Sequence, residues 1–250
     1  MKLTRNINAI SYKNGKNIKK FEEIVYDETT NLTINNKDIY TFSSINNSLK
    51  DFAIGYMVGE GIIDSIKEIK KIEIDETNID VEINNYNEKK DLILPSDSAG
   101  GWRSKINSIK PITSHLKVEK DELILNIEKL KKNAIIWQKT GGTHVAAFVN
   151  NEKDEFIVRE DVSRHVAVDK VIGAAKRKNL DFSNSYIIYS GRMPADMVIK
   201  IVRSGIPLLA SNAAPSYSGY SVAKKGNVTL VGFIRGDRFN VYTHFNRIIF

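Results

Sequence analysis

Apolar and polar positions alternate every second residue over 2–12, 21–25 and 32–42, which predicts strands, with Asn35-Asn36 placed to turn the chain. The period then changes. Leu49, Phe52, Ala53, Tyr56 and Met57 recur at helical spacing, so 49–63 is expected to be helical, capped by Asn46, Asn47 or Ser48. Alternation returns at 69–74 and 79–83 around Asp75-Glu76-Thr77-Asn78. Leu92-Ile93-Leu94 is a short apolar run. The small polar residues of 95–103 predict a loop in which Gly100-Gly101 permits close approach of a ligand or another backbone. A charged helix is expected near 121–132.

From there the pattern alternates between the two periods. Strands are predicted at 145–149, 156–158, 186–189, 208–210, 228–233 and 239–243, and helices at 163–178, 194–204 and 216–225. Pro194 suits a first helical turn. Strands separated by helices of this length predict a mixed sheet with parallel neighbours and helices on both faces. The change of character lies within 105–135, so two regions are expected: an α+β region over 1–120 and an α/β domain over 121–250.

Composition narrows the class. Hydrophobic residues make up 42% of the 250 positions and charged residues 27%, which excludes wholesale disorder. No apolar run approaches the roughly 20 residues that span a bilayer, and the first residues lack an apolar signal segment, so a cytoplasmic protein is expected. There is no cysteine, which excludes disulfides, Cys-ligated zinc, iron–sulfur clusters and a thiol nucleophile on this chain. The four histidines, His115, His144, His165 and His244, are too far apart for a HExxH-type metal site. Residues 1–130 hold 19 Lys+Arg against 21 Asp+Glu, a net −2; the remaining 18 against 9 give 131–250 a net +9. A basic half suits an anionic partner, although a lysine-rich composition alone produces the same count.

Ligands in such folds bind where loops leave the strand ends, often at helix N-termini. Four segments fit: Thr140-Gly141-Gly142-Thr143-His144, Ser190-Gly191-Arg192-Met193-Pro194, Ser211-Asn212-Ala213-Ala214-Pro215-Ser216 and Arg235-Gly236-Asp237-Arg238. Arg192, Arg235 and Arg238 are suited to hold phosphate through paired N–H donors. Glu160-Asp161-Val162-Ser163-Arg164-His165 is the densest cluster of ionisable groups. His165 and Asp169 are four residues apart and are expected to pair on one helix face. Two readings of the cluster stand. In one, His165 is a general acid/base or ligand donor whose tautomer Asp169 sets. In the other, Glu160 and Asp161 cap the helix and His165 is a satisfied buried histidine. His144 has the same two readings, packed under Gly141-Gly142.

Taken in order, Gly141-Gly142-Thr143-His144, Glu160-Asp161-Val162-Ser163-Arg164-His165-Val166-Ala167-Val168-Asp169-Lys170, Ser190-Gly191-Arg192, Met197-Val198-Ile199-Lys200 and Gly205-Ile206-Pro207 resemble the formate dehydrogenase accessory protein family, the FdhD/NarQ group. Ala214-Pro215-Ser216 and Thr229-Leu230-Val231-Gly232-Phe233-Ile234-Arg235, leading to Tyr242-Thr243, extend the likeness. So do Asp51-Phe52-Ala53-Ile54-Gly55-Tyr56 and Glu60-Gly61-Ile62-Ile63 in the first half.

The resemblance implies a cytidine-deaminase-like three-layer α/β/α core with a mixed sheet, a smaller N-terminal α+β region, and a homodimer. It implies binding of the molybdenum (or tungsten) bis-guanine-dinucleotide cofactor as cargo, with GDP as a related ligand. In the family, sulfur passes from a cysteine desulfurase to that cofactor before delivery to the formate dehydrogenase catalytic subunit. The family's cofactor-binding stretch matches Phe233-Ile234-Arg235-Gly236-Asp237-Arg238. Gly141, Gly142, Thr143, His144, Glu160, Asp161, Arg164, His165, Ser190, Gly191 and Arg192 are the other expected binding residues. The family's Cys-x-x-Cys loop falls at 96–101, around Asp97, Ser98 and Gly101, where this chain holds no sulfur. A serine hydroxyl forms no persulfide, so no catalytic residue is assigned. Two other classes compete. A deaminase-like hydrolase would need a His/Cys/Cys or Cys₃ zinc site. A nucleic-acid module would need interleaved aromatic and basic residues, which are absent, so no nucleic-acid partner is expected.

Overall fold

The computed structural model describes residues 2–84 and 109–250. Strands β1 (Thr4–Lys13) and β2 (Lys16–Val25) pair antiparallel along their whole length as a two-stranded ribbon turned at Asn14-Gly15. The sequence pattern placed the second strand only at 21–25. Residues 16–20 carry no apolar alternation because the ribbon buries neither face there, so periodicity had nothing to report.

Strands β3 (Glu28–Ile34), β4 (Asp38–Ser44), β5 (Ile69–Asp75) and β6 (Asn78–Ile83) form a second sheet in the order β4-β3-β6-β5. Helix α1 (Leu49–Gly59) covers it. Leu32, Ile34, Ile79, Val81 and Ile83 join Phe52, Ala53, Tyr56 and Met57 in one core. Phe42 meets Phe52 and Tyr56 edge-on at 4.9 and 5.1 Å between ring centroids, a preferred aromatic geometry. The helix stops four residues short of the expected 63. Gly61 adopts φ +69 and its N–H bonds back to the Val58 carbonyl, a glycine stop.

The remaining elements are β7 (Val118–Glu119), α2 (Lys120–Asn133), α3 (Ile135–Thr140), β8 (His144–Asn150), β9 (Glu155–Asp161), α4 (Arg164–Arg177), β10 (Tyr186–Tyr189), α5 (Ala195–Arg203), β11 (Leu208–Ser211), α6 (Tyr217–Gly226), β12 (Thr229–Arg235), β13 (Arg238–Val241) and β14 (Ile248–Ile249). Short β7 and β14 pair parallel. The six-stranded sheet runs β13-β12-β11-β10-β8-β9. Strands β10, β11 and β12 are parallel, and β8, β9 and β13 make the antiparallel pairings. Every residue of β10 and β11 is buried, as expected where helices cover both faces.

Alternate residues feed two cores. Phe148, Ile187, Tyr189, Leu209 and Leu230 pack with α1, α4, α5 and α6. Val149, Tyr186, Ile188, Leu208 and Val231 pack with Leu123, Ile127 and Leu130 of α2. The result is the three-layer α/β/α core with a mixed sheet that the resemblance implies. The first core also takes α1 and its sheet, so it draws on both sides of residue 120. Helices α1 and α4 cross at Gly55 and Gly173. A Cβ on either would sit 1.8 Å from a carbonyl oxygen of the other helix, Asp169 or Asp51 respectively, so only glycine permits the approach. Among the described residues, no helix is long and apolar enough to cross a membrane.

Candidate functional site

The register of the six-stranded sheet gathers the candidate segments at one end. His144, at the start of β8, pairs with Asp161 at the end of β9, and Ala146 pairs with Tyr189 at the end of β10. Tyr189 pairs with Ser211 at the end of β11. Ala210 pairs with Val231, so residues 233–235 of β12 run past the end of β11 and turn into β13 at Gly236-Asp237. Segments 140–144, 160–165, 190–194, 211–216 and 235–238 therefore lie along the edge formed by the carboxyl ends of the parallel strands. Ligands of open α/β sheets bind at that edge.

A cavity of about 420 Å³ opens there, lined by Trp137, Gly141–His144, Ser190 and Asn212, with Lys131, Ala134, Val145 and Val162 in its wall. Glu160 is buried beneath its rim and organises it. The carboxylate accepts N–H bonds from Ile136 (2.9 Å) and Trp137 (2.7 Å) and a hydroxyl bond from Thr143 (2.9 Å). One buried anion thus satisfies two free donors at the start of α3 and holds Thr143 just past the Gly141-Gly142 turn. Gly141 ends α3 at φ +66. A Cβ on Gly142 would come 2.7 Å from Cγ1 of Val25, where the β2 root packs.

Asp161 holds a different junction. One oxygen accepts the Ser163 N–H at 2.9 Å, ahead of α4; the other accepts the Ile45 N–H (3.0 Å) and meets the fully buried Lys170 ammonium at 2.7 Å. Lys170 also donates to the Ile45 carbonyl and to Asn47 Oδ1. This paired, hydrogen-bonded charge ties the connection between β4 and α1 to the six-stranded core, the condition under which a buried ion survives. Of the capping expected for the helix that follows, only Asp161 bonds at its start, through the Ser163 N–H; Glu160 turns instead to the start of α3.

The expected His165–Asp169 pair does not form. Asp169 instead takes the buried Lys200 ammonium on both oxygens, at 2.6 and 2.8 Å, with Glu60 3.6 Å away. His165 faces α5, where its Nε2 lies 3.1 Å from Asp196 Oδ2. Helical spacing allowed the first contact, but a buried ammonium makes the stronger demand on a carboxylate. Burial lowers the His165 pKa, and Asp196 only partly offsets it. The His144 pKa is also lowered, by burial first and then by Arg164 and His165. Its Nδ1 lies 3.1 Å from Ser190 Oγ, which accepts the Val145 N–H. Ser190 thus ties the His144 ring to the Val145 N–H of β8.

The other expected residues are placed as follows. Gly191 is buried and Arg192 exposed. Ser211 donates to the Gly191 carbonyl at 2.7 Å and accepts the Ala213 N–H, bracing two loops together. Phe233 sits in a β-bulge at φ +55, half-exposed, while Ile234 is buried in the second core. Such a φ is rare for a bulky residue, and the bulge turns the strand end outward. Arg235, Gly236, Asp237 and Arg238 are exposed at the hairpin turn. Neither these nor Arg192 line the cavity. Asp97, Ser98 and Gly101 lie outside the described residues. Sequence reasoning missed Trp137, because α3 has only six residues and carries no readable period, and Lys131, which in the expected charged helix looks like any solvated lysine.

The fold and this edge define a class: a mixed-sheet α/β/α protein with a polar-lined cavity at the carboxyl ends of its parallel strands. Comparison with known proteins then becomes specific. The FdhD/NarQ family model matches residues 25–249, and the chain belongs to that family. It is 47% identical over 230 residues, 91% of this chain and 92% of the other, to a sulfur carrier protein FdhD of Methanothermobacter thermautotrophicus. It is 32% identical over 232 residues, 92% of each chain, to a protein FdhD of Methanocaldococcus jannaschii. A crystal structure from Desulfotalea psychrophila, described as that of a formate dehydrogenase accessory protein, superposes with a TM-score of 0.84. It covers 99% of this chain and 100% of that one, at 24% identity, and shares its fold.

Proposed function

We infer that this chain is an accessory protein for a formate dehydrogenase and binds the molybdenum or tungsten bis-guanine-dinucleotide cofactor as cargo along the carboxyl edge of the six-stranded sheet. The observation that carries the reading is the convergence of 141–144, 160–165, 190–192 and 233–238 on that one edge. The residues fit such a ligand. Among the described residues the cavity lining holds no carboxylate, and the hairpin at the same sheet edge exposes Arg235 and Arg238, suited to a diphosphate. Relatives are named sulfur carriers. This chain has no thiol, so it carries no sulfur as a persulfide and acts by holding and delivering the cofactor. The partner is then the formate dehydrogenase catalytic subunit, while a cysteine desulfurase finds no acceptor here. A homodimer is expected on family likeness alone, and a cytoplasmic setting on the hydropathy pattern.

Calorimetry with GDP tests the reading. Arg238→Ala should weaken binding roughly 10- to 100-fold, since a charge-assisted contact contributes about 1.5–3 kcal/mol. Unchanged affinity in a variant that melts like the parent rejects the hairpin as the diphosphate site.

A further inference from the structure

We propose that the β1–β2 ribbon is a docking arm, and that its occupant is the enzyme receiving the cargo, which takes the ribbon into an acidic cleft with apolar walls. The inference rests on the accessory-protein reading and adds where the receiving enzyme is gripped.

Twenty strand residues pair in unbroken register from Thr4 and Val25 to Lys13 and Lys16, and among the described residues no third strand joins them. A lone two-stranded ribbon is at best marginally stable in water, and long bare strand edges are ordinarily shielded. This one also bears large apolar side chains on both faces. Ile10, Tyr12 and Phe21 stand exposed on one, and Ile7, Ile18 and Ile24 on the other. A bilayer surface covers one face only, and the tip that would enter it, Lys13-Asn14-Gly15-Lys16, is polar throughout. Covering both faces takes a cleft. The twenty residues are close to the roughly 20–30 that one side of a stable protein interface engages.

Charge gives the cleft its sign. Residues 2–25 hold six Lys and Arg against two Glu, a net +4. Glu22 is paired with Lys20 and Glu23 accepts the Thr4 hydroxyl, while Lys13, Lys16 and Lys19 stand exposed around the turn. Two such ribbons repel each other, whereas an acidic cleft attracts one. The root of the ribbon points to the partner. It lies against α3, where Val25 abuts Gly142 in the rim of the cavity. An enzyme holding the ribbon is thereby kept beside the cavity mouth, where cargo has the shortest path across.

Biolayer interferometry with the purified, cofactor-free formate dehydrogenase catalytic subunit of the same organism reads the docking directly. Tyr12→Ser combined with Phe21→Ser should weaken binding roughly tenfold or more, as loss of aromatic anchors does. Lys13→Glu, Lys16→Glu and Lys19→Glu together should weaken it to a similar degree and flatten its dependence on salt. The replaced side chains are exposed and none lines the cavity, so thermal melts and GDP affinity should match the parent's. Equal affinity of parent and both variants for the catalytic subunit overturns the docking arm and leaves the accessory reading standing. So does a loss, with enzyme binding intact, of self-association in light scattering or of binding to anionic vesicles or RNA. No binding of the catalytic subunit by the unaltered chain removes both.

Discussion

Single side chains set the shape of the site more than they contact its contents. Glu160 would look like a binding carboxylate in any motif search, yet it is turned inward against two backbone N–H groups and the Thr143 hydroxyl. Glu160→Gln replaces a charged triple acceptor with an amide that presents donors to donors. It should cost about 1–3 kcal/mol in urea denaturation and weaken GDP binding through the displaced rim. His144 governs a pH response. Its folded pKa lies below the ordinary 6.5, because burial and the Arg164 charge disfavour its cation. Unfolding therefore takes up a proton below pH 6.5, and stability contributed by the neutral ring is lost as pH falls through the folded value. Comparing parent with His144→Gln by denaturation across pH 5–8 should show a shallower acid decline in the variant. An identical decline removes His144 as its source.

At the scale of elements, the α1–α4 crossing and the ribbon are opposites. Helices α1 and α4 meet backbone to backbone at Gly55 and Gly173, with no flexible side chain between them to yield. Gly55→Ala should therefore cost about 3 kcal/mol or more, above the usual gain in helix propensity. A thermal melt within 1–2 °C of the parent would show that the helices separate freely. The ribbon instead leaves Ile10, Tyr12 and Phe21 exposed at 67%, 75% and 78%. Helices at 163–178 and 194–204 were legible because their apolar residues recur at helical spacing, although packing buries α4 over 166–175 and α5 over 195–202 on every side. The ribbon's pairing and the six-residue α3 were not, since neither has a buried face long enough to impose a period.

The whole molecule brings one sheet edge together from segments nearly a hundred residues apart, in a chain without a thiol. If holding and delivery are its task, the chain should restore formate dehydrogenase activity to cells lacking their own family member. Failure, with the protein folded and abundant, would show that a persulfide on the accessory protein is indispensable. The amino-acid order alone determined the alternation of strands and helices, the mixed sheet, the basic second half and the absence of thiol chemistry, because each follows from local period or from counting. Tertiary structure alone decided which charges meet: Asp169 with Lys200 rather than His165, Glu160 with α3 rather than a ligand, and Trp137 beside Ser190. Those pairings join positions distant in the chain, and a buried charge is satisfied by whichever partner the packing brings within reach, not by its neighbour in sequence.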